Sequence, residues 1–279
     1  MSAGEEALRV LISVDMEGIA GVAVPDDVSP GTPDYRRGRH LMTNEANAAV
    51  RGVLAHQPEA DVVVADSHAH LTNLIPEELD RRAKLVRGAP RPLGMVTGLE
   101  GSEAAIFIGY HGKVGTETSV LSHTISGIAV ADVRCQGKSL GEIGLNAALA
   151  GHLGIPVVLV AGDDKVSKEA KEVIDGVTTV IVKAALGARA AESLHPEEAC
   201  RLIEEAVPKA LEQRDRVRSL RFEGAVELEV AFHREAMSEP GLLIPGVRRL
   251  DGTTVAYRAE DFRSAYEVIQ LLAVLAGTV

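Results

Sequence analysis

Four short apolar segments in the first part of the chain have the pattern of strands that are buried on both faces. Each is a nearly continuous run of hydrophobic residues, many of them β-branched, whereas a half-exposed strand would alternate apolar and polar positions. The four segments are residues 8–14 (LRVLISV), 61–65 (DVVVA), 104–108 (AAIFI) and 156–161 (PVVLVA).

Two stretches between these segments have the periodicity of helices. Residues 43–55 carry an apolar stripe, with Thr43 or Asn44 as the expected N-cap. Residues 140–153 end at Gly154, directly before the fourth segment, as is typical of a helix C-terminus. Alternating strands and helices predict an α/β fold, in which a mainly parallel sheet is flanked by helices.

The chain beyond residue 165 has a different pattern. Residues 167–175 and 196–214 are predicted helices, and Pro208 is expected to kink or split the second of them. Residues 225–232 alternate apolar and acidic side chains, which predicts a strand with one buried and one exposed face.

The end of the chain completes an additional α+β portion toward the C-terminus. Asp251-Gly252 is a hairpin-turn dipeptide, and residues 261–276 form a last predicted helix. We therefore expect two parts with a boundary near residue 190. Residues 1–190 would form the α/β domain, and residues 191–279 the α+β portion.

The charge balance argues against a nucleic-acid partner. The chain has 29 Lys and Arg against 40 Asp and Glu, which gives a net charge of −11, and aromatic residues make up only 3%. A nucleic-acid groove needs clustered basic and aromatic side chains. An acidic chain is better suited to cations.

The sequence also predicts a cytoplasmic protein with no membrane segment. No apolar run approaches the roughly 18 residues that a membrane-spanning helix needs. The first residues carry two glutamates and no apolar stretch before Leu8, so we expect no signal peptide. Cys135 and Cys200 form no CxxC motif and suggest neither a disulfide framework nor a thiolate metal site.

Acidic and histidine residues follow each of the four apolar segments. Ligands of an open α/β sheet bind outside the carboxyl ends of its parallel strands, so these residues are expected at one edge. Imidazole and carboxylate are ligands that zinc accepts. A carboxylate shared between ions could hold two metals about 3.5–4 Å apart. The residues are Asp15 and Glu17 after the first segment, Asp66, His68 and His70 after the second, His111 after the third, and Asp163 and Asp164 after the fourth.

Each of these residues alone also has a structural explanation. A DxE sequence after a strand is typical of a turn, and His111 could satisfy backbone groups at a turn. Asp163-Asp164 fits an N-cap pair better than a ligand pair. Glu142 stands at a predicted helix start, where a carboxylate is favourable in any case. His68 is preferred over His70 because it follows the strand end more directly.

Six strings in the sequence resemble, in colinear order, those of the D-aminopeptidase DppA family, the M55 metallopeptidases. Any one string is weak evidence, but six in the same order are specific, and the likeness continues through most of the chain. The strings are SVDMEGIAG (13–21), ADSHAHLTNL (65–74), GYHG (109–112), LSHT (121–124), GEIGLNAALAG (141–151) and VAGDDK (160–165).

The resemblance implies a site with two zinc ions per subunit in residues 1–190. Asp15 would bridge the two ions, and His123, in LSHT, matches the histidine that the family uses in catalysis. The resemblance further implies a homo-oligomeric ring, a decamer. Loops 25–35 and 113–119 vary here, so the preferred substrate is left open. The ligands implied are Asp15, Glu17, His68, His111 and Glu142.

The implied activity is hydrolysis of short peptides from the free amino end, with D-amino-acid-containing peptides as substrates. His123 would pass a proton to the leaving amine or stabilise the oxyanion. Asp66 and Asn73 are candidates for fixing the imidazoles, and Asn146 for contacting either substrate or Glu142.

Two alternatives remain open at this point. One is another binuclear-metal hydrolase, acting on an amide or a phosphoester, and the other is a peptide-binding protein of a dipeptide-transport system. A binding protein would not need five metal ligands. Neither the metal used in the cell nor the stereochemistry of the preferred residue follows from the sequence.

Overall fold

The four apolar segments form neighbouring strands in the middle of one large sheet. The computed structural model describes residues 7–279 and contains fourteen strands in that range. The strands are β1 (Arg9–Val14), β2 (Asp61–Asp66), β3 (Ala83–Val86), β4 (Ala104–Tyr110), β5 (Val130–Cys135), β6 (Lys138–Ser139), β7 (Val157–Asp163), β8 (Ile174–Asp175), β9 (Thr178–Gly187), β10 (Ala190–Ser193), β11 (Arg218–Ser219), β12 (Val226–Phe232), β13 (Arg248–Arg249) and β14 (Thr254–Ala259).

The large sheet has seven strands in the order β10-β9-β7-β4-β1-β2-β3. All neighbours are parallel except β10, which runs antiparallel to β9. Every residue of β4 and β7 is buried, as the unbroken apolar runs predicted. The predicted α/β class is confirmed.

The helices lie against this sheet and against each other. Helices α2 and α5 pack together and contact β1, β4, β7 and β9, while α3 and α4 contact β4, β7 and β9. The helices are α1 (Pro25–Val28), α2 (Pro33–His56), α3 (Glu142–His152), α4 (Asp164–Val173), α5 (Pro196–Glu212), α6 (Glu235–Ser238) and α7 (Phe262–Ala276), with short 3₁₀ turns at Gly94–Val96, Arg214–Arg216 and Pro240–Leu243.

A second sheet of five strands supplies the antiparallel part of the fold. Its order is β13-β14-β12-β5-β6, and α7 packs against β12 and β14. Strand β12 alternates buried and half-buried residues, as predicted for a strand with one exposed face. This sheet takes β5 and β6 from before residue 190 and its other strands from after it. The division into residues 1–190 and 191–279 therefore stays a prediction. Strands β8 and β11 form a separate two-stranded ribbon.

Two helix predictions need correction. Helix α2 begins at Pro33 with Thr32 as N-cap, ten residues before the predicted start at Thr43. Proline at the first helical position favours this start. The Thr43 hydroxyl instead donates to the Arg39 carbonyl inside the helix. Helix α5 runs through Pro208 without being split.

Strand β1 lies where the direction of chain progression in the sheet reverses. From β1 the chain moves through β2 to β3 on one side, and it then returns to β4, β7 and β9 on the other. Ligands of such sheets bind in the crevice outside the carboxyl ends of the strands at this switch point. The segments after β1 and β4 are therefore the expected place for a site.

The described part of the chain contains no helix that is both long enough and apolar enough to cross a membrane. The expectation about a signal peptide rests mainly on residues 1–6, which lie outside the described residues.

Candidate metal centre

The five predicted ligands come together at the switch point. Asp15 follows β1, His68 follows β2, His111 follows β4, and Glu142 is the first residue of α3. All five side chains are buried. The closest contacts are His68 Nδ1 to Glu17 Oε2 at 3.0 Å and to Asp15 Oδ1 at 3.4 Å, and His111 Nε2 to Glu142 Oε2 at 3.4 Å and to Asp15 Oδ2 at 3.5 Å.

Asp15 lies between two halves of this cluster. Its Oδ1 faces His68 and accepts a hydrogen bond from the Met16 amide, whereas its Oδ2 faces His111. Asp15 Oδ2 and His111 Nε2 are buried without a hydrogen-bond partner among the described residues. Buried polar atoms in folded proteins almost always have a partner, so this pair of atoms indicates a place for a cation.

The three imidazoles near the cluster share one hydrogen-bonding pattern. His68 Nε2 is 2.9 Å from the Val28 carbonyl, His111 Nδ1 is 2.9 Å from the Gly112 carbonyl, and His123 Nδ1 is 3.0 Å from the Leu121 carbonyl. A carbonyl can only accept, so these nitrogens carry the hydrogen. In the neutral ring the other nitrogen then turns its lone pair toward the carboxylates, as metal-ligating histidines do.

Burial and neighbouring charges strongly perturb this cluster. Burial and the Glu17 carboxylate raise the pKa of Asp15 to about 8. Burial opposes ionisation of Glu17 too, but the charge of His68 lowers the pKa of Glu17 well below its usual value. For His68 and His111, burial is outweighed by Glu17 and by Glu142 respectively, and the pKa of each imidazole is raised well above its ordinary value. The buried carboxylates therefore stabilise positive charge strongly at this place, either as protons on the imidazoles or as a bound cation.

His123 lies at the more exposed side of the cluster. Its Nε2 is 3.5 Å from Glu142 Oε1, and its side chain is 23% exposed, against 4% for Glu142. The Ile125 amide donates to the same Glu142 oxygen at 2.7 Å. The atoms that could bind a metal, an imidazole nitrogen or a carboxylate oxygen from each residue, lie within 4.8 Å of one another in His111, His123 and Glu142. The same holds for Asp15, Glu17 and His111. The geometry of His123 is thus compatible with proton transfer and with ligation.

Several other sequence candidates lie outside the cluster. His70 is exposed. Asp163 caps α4 by accepting from the Val166 amide at 2.7 Å, as the N-cap interpretation predicted. Asp164 accepts from the Ala185 amide. Asn146 is fully buried and makes its side-chain hydrogen bonds to Tyr110, Tyr266 and the Met95 sulfur, and none to Glu142.

Asp66 and Asn73 support His68 through its backbone. Asp66 accepts hydrogen bonds from the Asn73 side chain at 2.7 Å and from the Leu74 amide at 2.6 Å. The Asn73 amide group also donates to the His68 carbonyl. The imidazole itself is held by the Val28 carbonyl, so Asp66 and Asn73, the candidates for fixing it, bond to the backbone around His68 and not to its ring.

Two glycines allow the ligand-bearing segments to cross closely. The Gly18 amide donates to the Gly109 carbonyl at 2.7 Å. A Cβ atom on Gly18 would lie 1.9 Å from the Tyr110 carbonyl oxygen. Gly109 has φ of +72°, and a Cβ there would lie 2.1 Å from the Asp15 carbonyl oxygen. Only glycine fits at these two positions.

Two buried charged residues beside the site were not identified from the sequence. Lys183 of β9 and Glu45 of α2 are 2% and 1% exposed, and both bond to the backbone just after Glu17. The available signal was a lysine inside the run TTVIVKAALG, but it has meaning only once that run is recognised as a strand.

Comparisons with known proteins agree with this geometry. Residues 8–271 match the M55 peptidase family, described as D-aminopeptidase. The chain is 37% identical over 273 residues to a D-aminopeptidase of Bacillus subtilis (strain 168), covering 96% of this chain and 98% of that protein. The fold also matches a solved structure of the Zn-dependent D-aminopeptidase DppA from Bacillus subtilis, a self-compartmentalizing protease. That match has a TM-score of 0.93 and 36% identity, and it covers 98% of this chain and 99% of the other.

Proposed function

This chain belongs to the M55 family of D-aminopeptidases, and from that membership we propose that it is a zinc-dependent aminopeptidase acting on short peptides that contain D-amino acids. The observation that supports this proposal most directly is the buried cluster of carboxylates and imidazoles at the switch point. Asp15 Oδ2 and His111 Nε2 face each other there at 3.5 Å, and neither atom has a hydrogen-bond partner among residues 7–279.

Five residues would hold two zinc ions in each subunit. Asp15 would bridge them, since its two carboxylate oxygens face different histidines. The ligand set is carboxylate and imidazole only, which suits zinc. When bound, a zinc pair polarises a carbonyl and makes water a nucleophile near neutral pH. The proposed ligands are Asp15, Glu17, His68, His111 and Glu142.

His123 would be the catalytic residue that moves a proton. It is the more exposed imidazole of the stacked pair with His111, so a peptide could reach it. The bond from its Nδ1–H to the Leu121 carbonyl fixes the ring, and its Nε2 lies 3.5 Å from Glu142 Oε1 at the more exposed side of the cluster. In that position Nε2 would take a proton from the water that adds to the peptide carbonyl, and it would then pass that proton to the leaving amine or donate a hydrogen bond to the oxyanion.

The assembly and compartment complete the proposal. We propose a homo-oligomer, because the related DppA is a self-compartmentalizing protease, and the resemblance of the sequence motifs further implies a ring, a decamer. We also propose the cytoplasm as the compartment. Cys135 and Cys200 are both free thiols, which is typical of proteins in a reducing environment.

One experiment tests the main proposal. The purified protein is analysed for metal content, and turnover is measured with D-Ala and L-Leu peptides beside phosphoesters. We expect two zinc ions per chain, faster cleavage of the D-Ala peptide, and loss of activity with a chelator that zinc restores. A metal-free protein that cleaves peptides, or a metalloprotein that cleaves only phosphoesters, would contradict the proposal.

A further inference from the structure

Lys183 bonds to the backbone of the segment that carries Glu17. Its ammonium group is buried and donates to three carbonyls, those of Glu17, Ile19 at 3.0 Å and Val22 at 2.6 Å. An ammonium has three donors, so all of them are used on this one segment. A buried charge is tolerated only when it is satisfied in this way.

A bulge in the sheet turns Lys183 toward the interior. Between β7 and β9 the register passes from Gly162 opposite Ile181 to Asp163 opposite Lys183, so β9 has one extra residue. The burial pattern of β9 shows the same irregularity. Consecutive strand residues normally point to opposite faces, but Val182 and Lys183 are consecutive and both buried. Without the bulge, Lys183 would share the exposed face of Ile181.

The other backbone hydrogen bonds that tie the segment, residues 17–22, to the rest of the protein are made through its amides, such as the bond from the Gly18 amide to the Gly109 carbonyl at 2.7 Å. The segment is neither helix nor strand. Glu45 of α2 accepts from the Ala20 amide at 2.8 Å, and Ser193 of β10 accepts from the Gly21 amide at 2.8 Å. These two residues bond to amides, whereas Lys183 alone binds three of the carbonyls.

Lys183 forms no direct ion pair in the described part of the chain, although the carboxylates of Asp163, Glu45 and Glu17 partly offset the lowering of its pKa by burial. Replacing Lys183 by an apolar side chain would leave these buried carbonyls without the donor that they have now. The donors of Lys183 meet the carbonyl of Glu17 itself and those of the residues that follow it. The interactions therefore point to a role in placing the Glu17 carboxylate.

We propose that Lys183 is a positioning residue for the metal centre, holding residues 17–22 so that Glu17 meets His68 and Asp15. This inference rests on the proposed function, since it assigns Glu17 a ligand role. An ion that Glu17 helps to hold would depend on this support. Loss of such support in other metal sites weakens metal binding about 10–100-fold.

The test is cobalt or zinc binding by the full-length variant K183M, in which the side chain keeps most of its length and loses its donors. We expect one of the two ions to bind at least about tenfold more weakly in chelator competition, with a changed cobalt absorption spectrum. The variant K183Q keeps an amide donor and should fall between K183M and the wild type.

The matched control is V182A, which removes buried volume from the adjacent position of the same strand. It should lower the melting temperature and leave both metal affinities within about twofold of the wild type. Equal metal binding by K183M, K183Q and the wild type would overturn the inference. So would an equal loss of metal in V182A. If K183M does not fold, K183Q compared with V182A decides.

The two proposals fail in different ways. If the wild-type protein binds no metal, the proposed function fails, and Lys183 has no metal centre to position. If the wild type binds two ions and cleaves D-Ala peptides while the Lys183 variants bind metal equally well, only the inference about Lys183 fails.

Discussion

The imidazole of His123 stacks on that of His111 with ring centroids 4.3 Å apart and an angle of 17° between the planes. Both Nε2 atoms face Glu142, at 3.5 Å and 3.4 Å. The His111 side chain is 1% exposed and the His123 side chain 23%. Two parallel imidazoles that share a carboxylate thus differ mainly in access, which suggests an inner ligand and an outer catalytic group.

Replacing His123 by alanine should separate catalysis from metal binding. We expect H123A to retain both zinc ions. Its kcat should fall by a factor of about 10²–10⁴, which is the usual contribution of a general acid or base. Zinc content and steady-state kinetics measure the two effects. H111A serves as the comparison and should lose metal. Unchanged turnover in H123A would remove His123 from the mechanism, and loss of zinc would make it a ligand.

Replacing Asp15 by alanine should remove metal and activity together. Among the residues that the structure describes, Asp15 is the one carboxylate with oxygens within 4.0 Å of both His68 and His111, so both ions would lose a ligand. Elemental analysis and peptide turnover check the result. D163N is the control, because Asp163 is also a buried aspartate after a strand but caps a helix, a role that asparagine fulfils. A D15A protein with two bound zinc ions would contradict the bridging role.

A methyl group at Gly18 should force the two ligand-bearing segments apart. Its Cβ would lie 1.9 Å from the Tyr110 carbonyl oxygen, which is backbone and cannot rotate away. We expect G18A to lose about 3 kcal/mol or more of the free energy of unfolding, together with bound zinc. G252A has no atom near its new Cβ and should change stability by less than about 0.5 kcal/mol. Denaturant titration of both variants decides.

The carboxyl of Glu45 should make stability fall as pH rises. Burial raises the pKa of Glu45 from 4.5 to about 7, although the Ala20 amide and Lys183 both lower it. The Glu45 carboxylate in turn helps to raise the pKa of the nearby Cys200 thiol. Below pH 4.5 the Glu45 carboxyl is protonated in the folded and unfolded chains alike. Above pH 7 it is ionised in both, and burying the charge then costs about 3 kcal/mol.

The variant E45Q removes this dependence while keeping an acceptor for the Ala20 amide. Denaturant titrations of the chelator-treated proteins should show the wild type losing about 3 kcal/mol relative to E45Q between pH 4.5 and pH 7. A constant difference across that range would show that Glu45 does not titrate there.

The sequence was sufficient for the central strands and for the residues of the cluster. Unbroken apolar runs such as the one in β4 identify strands covered on both faces, and parallel strands bring their carboxyl ends to one edge. That reasoning alone collects Asp15, His68 and His111. The choice of Glu142 and the role of His123 came from the family resemblance, because a carboxylate at a helix start and a histidine in a loop have common structural explanations.

The rest depended on contacts between distant parts of the chain. Residues 33–42, the first turns of α2, are mostly polar. They have no apolar stripe from which a helix could be predicted. Strand β9 was missed because it alternates irregularly, and the irregularity is the bulge itself. The burial of Lys183 follows from that bulge and from the position of residues 17–22, neither of which has a local signal.

The backbone carbonyls that hold the three imidazoles also determine which amide side chains could mimic them. The nitrogen of His68 that faces the carboxylates is Nδ1, whose place asparagine can fill, whereas for His111 and His123 it is Nε2, which only the longer glutamine reaches. A redesign that exchanges these histidines for neutral amides would therefore need asparagine at 68 and glutamine at 111 and 123. A uniform exchange would misplace at least one polar atom.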